Sequence, residues 1–316
     1  MKISIIIPCY NAEDHIFFCL SSLFEQTFLD WEAILINDGS KDNTLTLLNR
    51  FASKDSRIRV FTQTNQGAAV AREQGIKRAV GEYITFLDVD DTLTSHALQF
   101  VVDKLKYDPD IIVSSFNLIK EERIIKTRRI QFHKLESLSY LKGVLCGKYG
   151  WELCGKVYRR ELFVGLLQTP KGIRIGEDAA VFIQLVVRSE KIVGCHFPIY
   201  NYIQFSQSAS HIRSIKYAEE TLLAACFIEN YLRQQSFYCK IKTEISAMWL
   251  LFYSNSTFKA DLGWIHQLVR YLFMHHLRLK ALWKIPKKKA FYIILLYVTK
   301  GRIVNIMQSL LSFRQS

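Results

Sequence analysis

The sequence of 316 residues lacks most features that mark non-globular chains. Only 14 residues are glycine and five are proline, which excludes collagen-like repeats and argues against intrinsic disorder. No apolar run reaches the ~20 residues that a membrane-spanning helix requires. The N-terminal apolar run is too short for a signal peptide and ends at Pro8 without a cleavage-like site. We therefore expect a globular cytosolic protein.

Several common functional motifs are also missing. The seven cysteines form no C-x-x-C pair, which favours reduced and mostly buried thiols over a disulfide framework. The chain has no G-x-x-x-x-G-K-[ST] phosphate loop and no G-x-G-x-x-G dinucleotide fingerprint. An H-E-x-x-H zinc helix and a G-x-S-x-G nucleophile elbow are absent too. Nothing in the sequence therefore indicates a covalent nucleophile.

Acidic residues are scarce in the last third of the chain, and none follows Asp261. Residues 1–211 contain 26 basic and 24 acidic residues, whereas residues 212–316 contain 16 basic and five acidic ones. This asymmetry indicates an anionic partner for the C-terminal region. Aromatic and aliphatic residues lie between its basic residues, which favours an anionic membrane surface over nucleic acid. A helical domain with a solvated basic face is the alternative.

For this basic region we predict two short helices, because Pro286 interrupts any continuous helix. Trp283, Phe291 and Tyr292 would then lie at the level of the lipid headgroups, beside seven basic side chains. These are Arg270, Arg278, Lys280, Lys284, Lys287, Lys288 and Lys289. The protein would be peripheral at the inner face of the cell membrane.

The first half of the chain alternates between strand and helix patterns. Strands are predicted at residues 3–8, 31–36, 58–62, 83–87 and 111–116, and helices at residues 12–24, 41–53, 68–80 and 93–105. This order predicts an α/β fold with a mostly parallel central sheet. An edge hairpin is expected at residues 119–132, an extended segment at residues 192–203, and helices from residue 218 onward. We therefore predict an N-terminal domain of residues 1–212, with halves 1–116 and 117–212, and a helical C-terminal region of residues 213–316.

Polar clusters follow three of the predicted strands, at residues 8–11, 37–40 and 88–91. Ligands of an open α/β sheet bind at the carboxyl ends of its parallel strands, so the clusters should share one edge. Asp88 and Asp90 carry the clearest signal, because neighbouring carboxylates repel and a cation keeps them ionised. Mg²⁺ and Mn²⁺ prefer such oxygen ligands. A helix cap at Asp91 is the purely structural alternative.

At this point the sequence resembles family 2 glycosyltransferases with the GT-A fold. The resemblance rests on four motifs in the family's order, at residues 5–11, 36–44, 65–72 and 81–91. Residues 176–178, Gly-Glu-Asp, resemble the family's downstream acidic pair. The likeness is close over residues 3–116 and looser over residues 117–205. It implies a metal-dependent, inverting transfer of a sugar from a nucleotide diphosphate sugar, usually a UDP-sugar, to a glycan or lipid-linked glycan.

The resemblance also implies roles for particular residues in binding the nucleotide. Tyr10 would stack near the base, and Asp38 would accept a hydrogen bond from a uracil N–H. Backbone groups around Pro8 and Asn11 would line the same pocket. Arg72 would lie near the base or the diphosphate, where a permanent cation suits phosphate.

The remaining roles concern the metal and the acceptor. Asp90 would bind Mn²⁺ or Mg²⁺, and Asp88 would approach the ribose or the metal in this D-x-D motif. Asp178 would be the general base, with Glu177 as the alternative, although this acidic pair is also a good helix start. Trp151 and Lys156 fall where such enzymes often shape the acceptor side, and Glu177 belongs to the same side.

Two other functions remain open from the sequence. A nucleotidyltransferase acting on sugar phosphates uses a related sheet, but it typically has a glycine-rich basic loop after the first strand, which residues 9–13 lack. A non-catalytic protein that binds anionic surfaces would not need the acidic residues that this chain retains. The donor sugar, the acceptor, the linkage and the oligomeric state have no signal in the sequence.

Overall fold

The computed structural model describes residues 2–165, 170, 173, 175–205, 215–259 and 279–298. Its ten strands are β1 (Ile3–Cys9), β2 (Trp31–Asp38), β3 (Ile58–Gln63), β4 (Tyr83–Phe86), β5 (Thr92–Leu93), β6 (Ile111–Lys120), β7 (Arg123–Arg128), β8 (Lys134–Glu136), β9 (Lys156–Arg159) and β10 (Lys191–Ile203). Its α-helices are α1 (Ile16–Phe24), α2 (Thr44–Ala52), α3 (Ala68–Arg78), α4 (Ala97–Leu105), α5 (Ser137–Leu145), α6 (Glu177–Arg188), α7 (Ile215–Arg233), α8 (Lys242–Lys259), α9 (Leu279–Leu282) and α10 (Lys287–Val298). The alternating α/β pattern predicted for the first half is confirmed.

All ten strands form one sheet, with β3-β2-β1-β4-β9-β6-β10-β5 as its main order. Strand β7 pairs with β6, and β8 pairs with β10. The pairs β1–β2, β2–β3, β1–β4 and β6–β10 are parallel. The other five pairs are antiparallel. The sheet is therefore more mixed than the mostly parallel arrangement that the sequence predicts, chiefly because β9 is inserted antiparallel between β4 and β6.

Strand β1 lies at the centre of the parallel part and is covered on both faces. On one face Ile3, Ile5 and Ile7 pack in a core that includes the buried side of α1. On the other face α3 approaches closely, and a Cβ atom at Gly75 would lie 2.4 Å from Cγ2 of Ile6. The continuous apolar run of β1 is what a doubly covered parallel strand requires.

Several predicted elements have different bounds in the structure. Helix α4 begins at Ala97 rather than at residue 93, because Thr92–Leu93 pairs with β10 as strand β5. Helix α1 begins at Ile16 rather than at residue 12, because the preceding residues bond to the loop after β2. The predicted hairpin at residues 119–132 exists, but its first strand is β6 itself, which continues from Ile111 to Lys120. The turn lies at Glu121 and Glu122, which both adopt positive φ angles of 49° and 61°. A two-residue turn of this kind matches the twist of the flanking strands.

The chain divides into two compact units. The first comprises Met1–Leu138, Glu152–Thr169 and Gln184–Ser208, and it contains the whole sheet. The second comprises Ser139–Trp151, Pro170–Ile183 and Ala209–Ser316. The domain boundary predicted between residues 212 and 213 lies outside the described residues.

The second unit is helical, as predicted for the C-terminal region. Helices α7 and α8 pack together around the buried carboxylate of Glu229, which accepts hydrogen bonds from Nε1 of Trp249 at 2.6 Å and from the hydroxyl of Tyr238 at 3.2 Å. In the described part of the chain, no helix combines the length and the apolar character needed to cross a bilayer.

Candidate active site

The loops that follow β1 and β2 are joined by hydrogen bonds at the carboxyl edge of the sheet. The Asn11 backbone N–H donates to Oγ of Ser40 at 3.1 Å, and Oδ1 of Asn11 accepts from the Lys41 N–H at 2.9 Å. The backbone of Asn11 has a φ of 47°, a conformation that asparagine tolerates better than most residues. Tyr10 projects an exposed ring beside this junction. The first two polar clusters thus form one continuous loop surface, as predicted.

Asp38, at the end of β2, is buried and organises the loop between β3 and α3. Its Oδ1 accepts hydrogen bonds from Nε2 of Gln63 and from the Gln66 N–H, both at 2.8 Å. Its Oδ2 accepts from the Gly67 N–H at 2.8 Å. The carboxylate therefore fixes the entry to α3, the helix that contains Arg72. The uracil contact assigned to Asp38 by resemblance stays a prediction.

Asp88 follows β4 and is bound on both of its carboxylate oxygens. Nη2 of Arg72 lies 3.0 Å from Oδ1, and the thiol of Cys154 donates to Oδ2 at 3.1 Å. The backbone N–H of Asp88 donates to the Tyr200 hydroxyl at 3.3 Å. The side chain of Arg72 is 9% exposed and that of Asp88 is 33% exposed, so the ion pair is partly open to solvent. The structure therefore brings together two of the predicted site residues, Arg72 and Asp88.

Asp90 is half-buried beside Asp88, and it has fewer hydrogen-bond partners among the described residues. Burial and the neighbouring charge of Asp88 together raise the pKa of Asp90. Within the described residues, no other side chain donates a hydrogen bond to its carboxylate. Burial and the charge of Asp88 both disfavour the ionised form of Asp90, and a bound cation would reverse that preference.

Asp91 has a structural role in this turn. It is buried, and its two oxygens accept hydrogen bonds from the Tyr200 hydroxyl at 2.6 Å and from the Ile203 N–H at 2.7 Å. Burial, followed by the charges of Asp88 and Asp90, raises the pKa of Asp91 to about 8. Asp91 therefore fastens the turn to the end of β10 instead of capping a helix.

The donor set fits a divalent metal that is shared with a phosphate ligand. Among the described residues, no three His, Cys, Asp or Glu side chains converge on one point. Mg²⁺ typically takes only one or two carboxylates and completes its coordination with phosphate oxygens and water. Asp90, with Asp88 as a second carboxylate, meets that requirement. Because Asp88 is already bound by Arg72 and Cys154, Asp90 is the principal candidate.

The predicted acceptor-side residues have contacts within their own units. Lys156, in the first unit, is buried, and its ammonium group contacts Glu152, with Nζ 3.4 Å from Oε1. Trp151, in the second unit, packs against Phe252 with ring centroids 4.7 Å apart. Glu177 and Asp178 occupy the first turn of α6, also in the second unit. The acceptor and base roles of these four residues stay predictions.

Sequence reasoning did not identify two residues that bind Asp88, namely Cys154 and Tyr200. They lie 66 and 112 positions from Asp88 along the chain. Neither belongs to a recognisable motif, and both reach Asp88 only through the tertiary fold. The sequence indicated Asp91 as part of the acidic turn, but it did not indicate the partners of Asp91 on β10.

The comparisons with known proteins agree with this architecture. The family model described as Glycosyl transferase family 2 matches residues 4–164. The glycosyltransferase EpsJ of Bacillus subtilis is 33% identical over 218 residues, which cover 66% of this chain and 63% of EpsJ. The cholesterol galactosyltransferase of Borreliella burgdorferi is 26% identical over 271 residues, which cover 82% of this chain and 75% of that protein. The chain thus matches less than two thirds of the length of EpsJ.

Among solved structures, S. aureus TarS 1–349 in complex with UDP-GlcNAc superposes with a TM-score of 0.74. The alignment covers 100% of this chain and 92% of that one, at 18% sequence identity, and it shows a shared GT-A fold. The family match extends over just over half of the chain and includes β1, the acidic turn and Cys154. The chain therefore belongs to glycosyl transferase family 2.

Proposed function

We propose that the protein is a metal-dependent, inverting glycosyltransferase that moves a sugar from a UDP-sugar to a hydroxyl group of a glycan or a lipid-linked glycan. The observation that carries the proposal is the group formed by Arg72, Asp88 and Asp90 at the carboxyl edge of the sheet. It offers a permanent cation for phosphate and a half-buried carboxylate for a metal, next to the joined loops after β1 and β2. A nucleoside diphosphate with its divalent metal suits this combination.

The donor would bind across the edge formed by these loops. The exposed ring of Tyr10 is available for stacking against a base, and the backbone at Pro8 and Asn11 lies beside it. From its fixed position at the end of β2, Asp38 would accept a hydrogen bond from a uracil N–H. Arg72 would hold the diphosphate or the base, and a rigid guanidinium suits both. Membership of the family and the nucleotide-bound structure of the similar TarS protein support a UDP-sugar.

Asp90 would hold Mn²⁺ or Mg²⁺, with Asp88 as its second carboxylate or as a ribose contact. The metal, when bound, supplies positive charge that stabilises the departing diphosphate. Arg72 pairs with Asp88 and fixes the orientation of its Oδ1. Cys154 fixes Oδ2. These two contacts preorganise the acidic turn before any ligand arrives.

The transfer itself would be a direct displacement at the anomeric carbon. Asp178 would take the proton from the acceptor hydroxyl as its oxygen forms a bond to that carbon. The bond between the carbon and the UDP oxygen breaks, and UDP leaves with the electron pair. A single displacement inverts the anomeric configuration and needs no covalent enzyme intermediate. Glu177 is the neighbouring alternative for the base.

The acceptor class rests on a named relative and on the charge of the C-terminal region. The similar protein from Borreliella burgdorferi is named a cholesterol galactosyltransferase, so its named acceptor is a lipid. A basic C-terminal region would bring this chain close to lipid-linked acceptors as well. We propose cytoplasmic action at the inner face of the cell membrane.

A screen of nucleotide-sugars tests the proposal. The full chain is incubated with UDP-, GDP- and dTDP-sugars in Mn²⁺, and thermal stabilisation and release of the nucleoside diphosphate are measured. We expect one or more UDP-sugars to stabilise the protein and to be hydrolysed slowly, and EDTA to remove both effects. A ligand at 100 times its dissociation constant adds ~2.7 kcal/mol to the stability of the folded state. If no nucleotide-sugar is bound or hydrolysed, the proposal is wrong. Formation of a nucleotide-sugar from a nucleoside triphosphate would indicate a nucleotidyltransferase.

A further inference from the structure

Helices α9 and α10 expose aromatic and basic side chains that no described contact explains. Pro286 separates the two helices, as predicted from the sequence. In the turn between them the side chain of Trp283 is 91% exposed. On α10 the side chains of Phe291 and Ile294 are 65% and 48% exposed. Large apolar side chains are rarely left in water without a binding role when they occur together.

Other side chains of this segment pack within the second unit. The exposed side chains are therefore not the ones that hold the segment in place. Ala281, Ile285 and Ile293 are buried and form its inner side. Nζ of Lys284 lies 2.6 Å from Oε1 of Glu244, a buried residue of α8. Lys289 also contacts α8, through Asn255. The segment thus has a buried inner side held by α8, and its exposed side chains lie outside that side.

The outer surface is basic as well as apolar. Lys280, Lys287 and Lys288 are exposed, and none of them forms an ion pair with any described residue. Lys287, Phe291 and Ile294 are spaced i, i+4 and i+7, so they share one face of α10. Residues 279–298 contain no acidic residue. We call Lys280, Trp283, Lys287, Lys288, Phe291 and Ile294 the outer α9–α10 surface.

This geometry changes the sequence-based expectation for the basic residues. Lys284 and Lys289 are bound to α8 and are not available to a partner. Arg270 and Arg278 lie outside the described residues. The charge that a partner meets here therefore comes from three lysines beside Trp283 and Phe291.

We propose that the outer α9–α10 surface docks on an anionic lipid bilayer. Lysines beside an exposed tryptophan and phenylalanine are typical of interfacial helices, whose aromatic rings enter the headgroup region. A second copy of the chain fits less well, because a two-fold contact places like charges against each other. Nucleic acid accounts for the lysines but leaves Ile294 in water.

The test is co-sedimentation of the full chain with vesicles, measured at low and at physiological salt. One set of vesicles contains phosphatidylcholine with phosphatidylglycerol, and the other contains phosphatidylcholine alone. The basic variant is Lys280→Gln/Lys287→Gln/Lys288→Gln, and the apolar variant is Trp283→Ser/Phe291→Ser. The matched controls, in the first unit, are Lys54→Gln/Lys106→Gln/Lys126→Gln and Phe17→Ser/Phe18→Ser. Those two phenylalanines are 64% and 66% exposed, close to Phe291.

We expect the wild type to bind only the anionic vesicles, and to bind them more weakly as salt increases. Each lysine near an anionic surface contributes about 1 kcal/mol, so the basic variant should lose on the order of a hundredfold in partition coefficient. The apolar variant should lose roughly tenfold or more and keep the salt dependence. Both control variants should bind like the wild type, and all variants should keep the wild-type melting temperature.

Three results would overturn the assignment. The first is equal loss of binding in a control variant, which would show that the charge or aromatic content of the whole chain is responsible. The second is failure of the wild type to bind anionic vesicles at low salt. The third is that the same substitutions leave vesicle binding intact but abolish another interaction of the wild type. That interaction would be RNA binding, or dimer formation measured by sedimentation. The vesicle assay contains no nucleotide-sugar, so its outcome is independent of the proposed glycosyl transfer.

Discussion

The hydroxyl of Tyr200 donates a hydrogen bond to Oδ2 of Asp91 at 2.6 Å and accepts one from the Asp88 backbone N–H at 3.3 Å. One buried side chain on β10 therefore holds two of the three carboxylate residues of the acidic turn. Asp88 and Asp91 have different partners otherwise, since Arg72 and Cys154 bind the first and the Ile203 N–H binds the second. The position of the turn thus depends on a strand that is distant in sequence.

Replacing Tyr200 with phenylalanine should weaken this arrangement. The change removes a hydrogen bond to the buried carboxylate of Asp91 and leaves the partly buried N–H of Asp88 without its partner, which typically costs about 1–3 kcal/mol. We expect a loss of that size in the free energy of unfolding, measured by urea denaturation. The exposed Tyr107→Phe is the matched control and should change stability little. Wild-type stability in Tyr200→Phe would show that the two hydrogen bonds contribute nothing to the fold.

Cys154 should matter for activity through its hydrogen bond to Asp88. Cys154→Ser keeps a donor at the same place, whereas Cys154→Ala leaves Oδ2 of Asp88 without one. Misplacement of a reacting group by about 1 Å costs up to 10²-fold in rate, so we expect Ala to reduce turnover of the UDP-sugar by roughly tenfold or more and Ser to keep most of it. The exposed Cys239→Ala serves as the control. Equal rates in the Ala and Ser variants would contradict a positioning role for the thiol.

Glu32 should make stability depend on pH. Burial alone would raise its pKa, but hydrogen bonds from Ser4, the Val80 N–H and Arg59 lower it below its ordinary value. A lowered pKa in the folded state gives stability that is present above the unfolded pKa of ~4.3 and is lost as the pH falls through the folded value.

The substitution Glu32→Gln isolates this effect. The difference in unfolding free energy between the wild type and the variant should be largest at neutral pH and should shrink as the pH falls below ~4. Urea denaturation across that range measures it, with the exposed Glu25→Gln as the control. A difference that grows on acidification would show that folding raises the pKa of Glu32 instead of lowering it.

The proposed base is tested by Asp178→Asn, which keeps the shape of the side chain and removes the proton acceptor. General-base assistance typically contributes ~10²–10⁴-fold, so the transfer rate at saturating donor should fall on that scale. Affinity for the donor should change little, because the base acts on the acceptor. Glu177→Gln is the matched variant. A larger loss of rate in Glu177→Gln would assign the role to Glu177.

Patterns within short stretches of sequence predicted the parallel part of the fold. Strand β1 has a continuous β-branched run that only a doubly covered strand accommodates, and its prediction was correct. Strand β9 was missed because Lys156–Arg159 is only four residues long and is half charged. It becomes a strand through its antiparallel pairing with β4 and β6, and no local pattern encodes that pairing. The start of α1 was misplaced for a similar reason, since the backbone N–H groups of residues 12 and 13 donate hydrogen bonds to the side chains of Thr44 and Asp42.

In the candidate site, too, local sequence patterns predicted some features, and the tertiary fold determined the others. Asp38 ends β2, and Asp88 and Asp90 come soon after β4, so the alternation of strands and helices was sufficient to predict them at one edge. The partners of Asp88 were not predictable, because Cys154 and Tyr200 come from later segments that the tertiary fold brings back to the turn. A sequence pattern thus identified the charged groups, and the structure identified the neutral groups that orient them.

The most direct test of the central proposal is calorimetric titration of UDP into the wild type and into Asp90→Asn, each with Mn²⁺ and with EDTA. Asparagine keeps the size of the side chain and removes the charge that the metal requires. We expect the wild type to bind UDP at least roughly tenfold more tightly with Mn²⁺ than with EDTA, and Asp90→Asn to show no such difference. Equal Mn²⁺-dependent binding of UDP by Asp90→Asn and the wild type would contradict it.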